Sequence, residues 1–302
     1  MGSRKPKAAI IVAYLFVPMA LYVFSVFIPL LTSVFYSFFE WKGGPNKTFV
    51  GLENYIMLLY DKEFWQAFQH NIYLVVLCVI GQVGIAFVLV MVMNSKGTKF
   101  KDMHRTFGFF PSTISHVAIG FIWTMIYDSR RGLLNWCLTA VGLGDKTQVW
   151  LNNPKLVMTL VAIPLIWQYI GYYMLILLSA TSSIDNQILE SAELDGVNGF
   201  QKAVYIVMPM IKNTILICLV LCVAGNMKVF DNIFVMTKGG PGNASMVTAL
   251  YGYIVSFKQQ NMGYGSAISV GIFVLGILLV GSIQLLVKLF SKEGIGNEEK
   301  CC

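Results

Sequence analysis

Two sets of residues in this sequence have the types and spacing to do work. The first is an acidic segment, with Asp185, Glu190, Glu193 and Asp195 set against Lys202 and Lys212. It reads as two short helices, Asn186 to Leu194 and Gly199 to Val207. Gly196 between them can take a positive φ, and Pro209 ends the second. A helix–turn–helix of this size can dock as a unit into a groove on another protein, or lie as an amphipathic pair at a membrane interface. The second set is polar residues inside apolar stretches, which are functional candidates by default. These are Trp167, Gln168, Gly171, Tyr172 and Tyr173 on one stretch, Asn226, Lys228 and Asp231 at the end of another, and Gln82 on a third. Lys228 and Asp231 stand at i, i+3 and can pair on one helix face, or Lys228 can snorkel to an interface. The aromatic residues can line a path or form an interfacial belt.

Covalent chemistry is missing. The sequence has no G-x-x-x-x-G-K-[ST] to cradle ATP phosphates, no H-E-x-x-H and no G-x-S-x-G. His70, His104 and His116 fall in different regions and read as packing residues. Cys218 and Cys222 share a helix face at i, i+4, but no His or carboxylate stands beside them, so they also read as packing. We assign no catalytic residue, no metal ligand and no cofactor to this chain.

The elements that must position these residues follow from composition. Of 302 residues, 56% are hydrophobic, 14% aromatic and only 12% charged. That charged fraction is about half of what a soluble domain carries. The chain is therefore an all-α polytopic membrane protein, and a soluble enzyme is excluded. The net charge of +7 reflects basic residues at the ends of spans rather than a nucleic-acid surface. A bilayer core needs about 20 apolar residues per helix, and six stretches qualify: residues 8–39, 71–93, 107–127, 156–178, 211–230 and 267–290. Pro18 and Pro29 should kink the first, and Pro164 and Gly171 should break the fourth. Arg4, Lys5, Lys7, Lys96, Lys99, Lys101, Arg105, Lys288 and Lys292 place both termini in the cytoplasm by the positive-inside rule. The chain then divides into a cytoplasmic N-terminal tail (1–7), a six-helix domain (8–290) and a cytoplasmic C-terminal tail (291–302). The connection at 40–70 should carry a helix over Glu53 to His70. A short helix should start at Gly132 to Asn135. Cys301 and Cys302 follow a charged tail and carry no weight.

Several of these motifs together resemble a known family. Glu190-Ser191-Ala192, then three residues, Gly196, nine residues, and Ile206-Val207-Met208-Pro209 resemble the EAA loop of ABC-importer permeases. Ser191 and Met208 replace the family's Ala and Leu. Gly51-Leu52-Glu53-Asn54-Tyr55 is similar to the G-L-x-N-Y of sugar-type permeases. Arg105, Pro111 and Trp123, then Gly132 and Asn135, resemble further marks. So do Phe230-Asp231 followed by Thr237-Lys238-Gly239-Gly240-Pro241-Gly242. These last point to the carbohydrate-uptake branch, similar to the maltose and glycerol-3-phosphate importer permeases.

The resemblance implies a six-helix, ABC type I importer permease-like fold in a bacterial inner membrane. It also implies four kinds of partner: a second homologous permease, two ATPase subunits that hold ATP and magnesium, an external solute-binding protein, and a sugar. The loop at about 186–209 would be the coupling helix seated in the ATPase. Glu190, Ser191, Ala192, Asp195, Gly196, Ile206 and Pro209 would form it. Trp167, Gln168, Gly171, Tyr172, Tyr173, Asn226, Lys228 and Asp231 would line the sugar path, by ring stacking and amide–hydroxyl bonds. The competing readings are a secondary transporter or channel that works alone, and a membrane-embedded enzyme.

Overall fold

The structure, a computed structural model, describes residues 8–95 and 100–298, and side chains over 14–95 and 100–285. Arg4, Lys5, Lys7, Lys96, Lys99, Lys288, Lys292, Cys301 and Cys302 lie outside the described side chains. Four described helices are long and apolar enough to cross a bilayer: Tyr14–Tyr36, Lys62–Met93, Val157–Ser182 and Met262–Leu285. Two more candidates are bent pairs, Lys101–Thr113 with His116–Ile126 at 98° and Gly199–Met210 with Lys212–Met227 at 80°. Counted as one span each, they complete six.

The third and fifth spans are therefore not the straight rods expected over 107–127 and 211–230. A proline lies just before each bend, where its missing N–H and its ring end the preceding helix. Pro111 sits in the turn Phe110–Thr113, and Pro209 in Met208–Met210, just before Ile211. The second span starts at Lys62 rather than Asn71 and runs through a π-helical turn, Val79–Gly84, to Met93. The helix expected over Glu53 to His70 is split, because Glu53–Tyr60 ends at Asp61, whose backbone is extended. The last helix, Met262–Glu298, passes residue 290 without interruption.

By its internal contacts the chain forms two units, residues to Asp61 with Gly252–Phe273, and Lys62–Tyr251 with Val274 onward. In the first unit, the opening span stays helical through Pro29 because a π-helical turn, Val23–Phe27, precedes it. Widening by one residue at this point accommodates the proline ring and its missing donor. A two-stranded hairpin follows, pairing Phe39 with Phe49 and Trp41 with Lys47. Three-residue strands carry too little alternation to be read from sequence. The Gly51–Tyr55 motif holds this hairpin. The buried Asn54 donates to the carbonyls of Ser37 (2.8 Å) and Phe39 (3.0 Å), and the Tyr55 hydroxyl meets the Ser37 hydroxyl. The Tyr264 hydroxyl donates to the Asp61 carboxylate.

The second unit is built around the fourth span, Val157–Ser182, which is buried along much of its length. It stays one helix, contrary to the break expected at Pro164 and Gly171. Pro164 cannot donate to the Leu160 carbonyl, but the Tyr127 hydroxyl does so at 3.1 Å. Gly171 marks a close crossing instead of a break. A Cβ placed there would stand 1.8 Å from the Gly108 carbonyl oxygen. Between the third and fourth spans, a short helix at Leu133–Ala140 forms as expected. Its Asn135 donates to the carbonyls of Ser129 and Gln148 and accepts from the Trp150 indole N–H at 2.7 Å.

Candidate functional site

A cavity of about 410 Å³ lies in the second unit, in the range of roughly 300–1,000 Å³ that small-molecule sites occupy. Its walls come from four elements. Gln82 projects from the π-helical turn of the second span, and His116 from the helix after the third-span bend. Tyr169, Tyr172 and Tyr173 come from the fourth span. Asn226, Lys228, Phe230, Asp231 and Asn232 come from the end of the fifth span and the short helix Asp231–Met236.

The polar groups are held from behind. The buried Gln82 donates to the Leu165 carbonyl at 3.0 Å, while its carbonyl accepts from the Cys222 thiol at 3.3 Å and, weakly, from Asn226 at 3.4 Å. Asn226 also donates to the Cys222 carbonyl at 2.8 Å. Cys218 and Cys222 are fully buried, and Cys222 serves this amide cluster. His116 shares a 2.7 Å hydrogen bond with the Tyr169 hydroxyl. The fifth span ends at Met227, and the buried Asn71 takes up its last carbonyls. The Asn71 amide donates to the carbonyls of Asn226 and Met227, both at 3.3 Å, and its oxygen accepts from the Thr248 N–H (2.8 Å) and hydroxyl (2.9 Å). All of its hydrogen-bonding capacity is used, so Asn71 fixes where the cavity-lining segment 226–232 begins.

Of the residues singled out from sequence, Gln82, Tyr172, Tyr173, Asn226, Lys228 and Asp231 come together at this cavity. Lys228 and Asp231 do not share a helix face, because the helix ends between them, and no ion pair joins them. Three others lie elsewhere. Gln168 is fully buried and donates to the Ile114 carbonyl at 3.0 Å, which the third-span bend has freed. Trp167 is exposed and meets Trp123 edge to face at 6.1 Å. Gly171 packs on Gly108. The sequence reading missed His116, Asn71 and Asn232, and held Tyr169 only as one of the fourth span's aromatic residues. His116 and Asn71 were legible only as polar residues at span borders.

The acidic segment forms a second site. Asn186–Leu194 is capped by the Asp185 carboxylate, which accepts from the Gln187 N–H at 2.9 Å. Gly196 has φ +76°, and the Val197 N–H reaches back to the Ala192 carbonyl at 3.2 Å, the αL helix stop expected from the sequence. Asn198 and Gln201 form a capping box for the second helix, which runs on through a π-helical turn to Met210. A 2.9 Å ion pair between Lys202 and Glu193 closes the two helices on each other. Ala192 is buried and Ile206 half-buried, while Glu190, Ser191, Asp195, Gly196 and Pro209 are exposed. So are three large apolar residues, Leu194, Phe200 and Tyr205.

The second unit sets a polar cavity among bent helices and carries a stiff helical hairpin, an arrangement that fits a membrane transport subunit. Residues 83–292 match the family described as binding-protein-dependent transport system inner membrane component, and the chain belongs to that family. It is a multi-pass permease subunit of an ABC importer. It is 34% identical over 94% of its length, and 97% of the relative, to a probable ABC transporter permease protein, YurN, of Bacillus subtilis (strain 168). It is 30% identical over 90% of its length, and 92% of the relative, to the lactose transport system permease protein LacF of Rhizobium radiobacter. Its fold matches, with TM-score 0.80 at 20% identity, over 92% of this chain and 95% of the other, a chain in the crystal structure of a bacterial ABC transporter that imports the acidic polysaccharide alginate. Family membership sets aside the transporter that works alone and the membrane-embedded enzyme.

Proposed function

We propose that this permease forms half of the path for an oligosaccharide or related sugar, and that the cavity described above is its sugar-binding face. The observation that carries this is the lining itself. The half-buried rings of Tyr169 and Tyr172 can stack on the C–H faces of a pyranose, and the Asn226 amide, which Gln82 holds in place, can exchange hydrogen bonds with its hydroxyls. The names of relatives agree, among them the lactose permease and the multiple sugar-binding transport permease MsmF of Streptococcus mutans.

The partners are a second homologous permease, two ATPase subunits that hold ATP and magnesium, and an external solute-binding protein. Both termini lie in the cytoplasm, with 1–7 and 291–302 as tails. The loop at 186–209 then faces the ATPases, and the 228–236 segment faces outward. Leu194, Phe200 and Tyr205 give the loop an apolar docking face, and Glu190 and Asp195 give it polar edges. When the ATPases close on ATP, the loop moves as a stiff piece and shifts the spans between inward and outward access.

Tagged chain, purified from its membrane in mild detergent, should bring an ATPase and a second permease with it. A chain that purifies alone and transports without ATP overturns the assignment. Gly196→Val should reduce the co-purified ATPase, since a β-branched residue at φ +76° costs about 1–2 kcal/mol. Undiminished recovery removes the coupling role. Asn226→Ala should weaken uptake while leaving recovery of the complex unchanged, and normal uptake kinetics take Asn226 off the path.

A further inference from the structure

Asn232 is the second residue of the short helix Asp231–Met236 and belongs to the cavity wall. It is fully buried, and neither its amide nitrogen nor its amide oxygen has a hydrogen-bond partner. Its helix packs against His116–Ile126. Gly120 makes that approach possible, because a Cβ there would stand 3.1 Å from Val235 Cγ1 and 3.7 Å from Asn232 Oδ1. The neighbouring Ile233 is fully buried as well. The seam is thus tight around one unpartnered amide. Such a group disfavours whichever state buries it, and hydration on opening removes the penalty. Both helices are also free-standing pieces. Ile114 and Ser115 separate one from the first half of the third span, and Lys228–Phe230 separate the other from the fifth. Either can shift without bending a helix interior.

We propose that the seam between His116–Ile126 and Asp231–Met236 is the outer gate of the cavity. Asn232 is the residue that keeps its closed state shallow, so that ATP-driven motion can open it. This rests on the importer reading above.

The test is hydrogen exchange across residues 116–126 and 231–236 in the importer co-purified through this chain, at rest and trapped with ATP and vanadate. In the wild type, the seam should exchange faster once trapped. In Asn232→Leu, which keeps the bulk and removes the amide, seam exchange at rest should slow by about tenfold, and ATP turnover should fall. Asn232→Met removes the same amide with a flexible apolar side chain that leaves no cavity, and should slow the seam in the same direction if the leucine variant does not assemble. Unchanged or faster seam exchange in an assembled variant overturns the proposal. So does a wild-type seam equally protected at rest and when trapped. If the wild-type chain brings no ATPase with it, the importer reading fails instead, and that result is visible before any variant is made.

Discussion

Gly171→Ala is expected to destabilise the folded permease severely and lower its melting temperature. The added methyl would sit 1.8 Å from the Gly108 carbonyl oxygen and 2.6 Å from the Phe109 nitrogen. Both are backbone atoms and cannot swing aside as a side chain would. The fourth span would have to move away from Lys101–Phe109, in a unit whose buried residues centre on that span. Overpacking of a core costs typically about 1–3 kcal/mol, and a backbone collision lies at or above the top of that range. Thermal unfolding of the purified chain in detergent reads the effect directly. An alanine variant that melts with the wild type would mean the crossing is looser than this geometry. Gly108→Ala is the internal comparison. Its methyl would crowd the Met174 side chain at 3.0 Å, which can yield, and reach Gly171 Cα only at an ordinary 3.9 Å, so it should be tolerated far better.

Asn71→Leu is expected to be nearly as damaging, for an electrostatic reason. Leucine is close in size but leaves the Asn226 and Met227 carbonyls and the Thr248 N–H and hydroxyl without this partner. Each buried group left unpaired costs about 1–3 kcal/mol, so several together rival the whole stability of many domains. Asn71→Asp keeps an acceptor for Thr248 but sets a carboxylate against two carbonyls. It should assemble better than the leucine variant yet raise the KM for uptake, because the segment carrying Asn226 and Lys228 is displaced. Equal uptake by Asn71→Asp and wild type would sink this role for Asn71.

The acidic hairpin at 186–209 was the most legible part of the chain, because its structure is local. Asp185, Gly196 and Pro209 act within a turn of where they stand, and the helix Asn186–Leu194 has the expected bounds. The cavity was only half legible. Gln168 and Asn226 are the same kind of signal, an amide in an apolar helix, but one holds a bend in a neighbouring span and the other faces the cavity. The fourth span is apolar on every side, so no stripe tells which face meets which neighbour. The bends at Ile114 and Ile211 were hidden for a related reason. Hydropathy runs smoothly through both, and only Pro111 and Pro209 hint that the helix axis turns. His116 was discounted as packing because its partner, Tyr169, is distant in sequence.

The joint at Ile211 has a mechanical consequence. On one side lies a hairpin whose two halves are clasped by Lys202 and Glu193, and on the other a single rigid helix, Lys212–Met227. Compliance concentrates at the one residue between them that leaves helical geometry. A push on the hairpin therefore changes the angle at that residue and is not spread as bending along either helix. The far end of that helix, where Asn226 sits, travels furthest. A displacement too small to matter at the pivot becomes a rearrangement at the cavity wall.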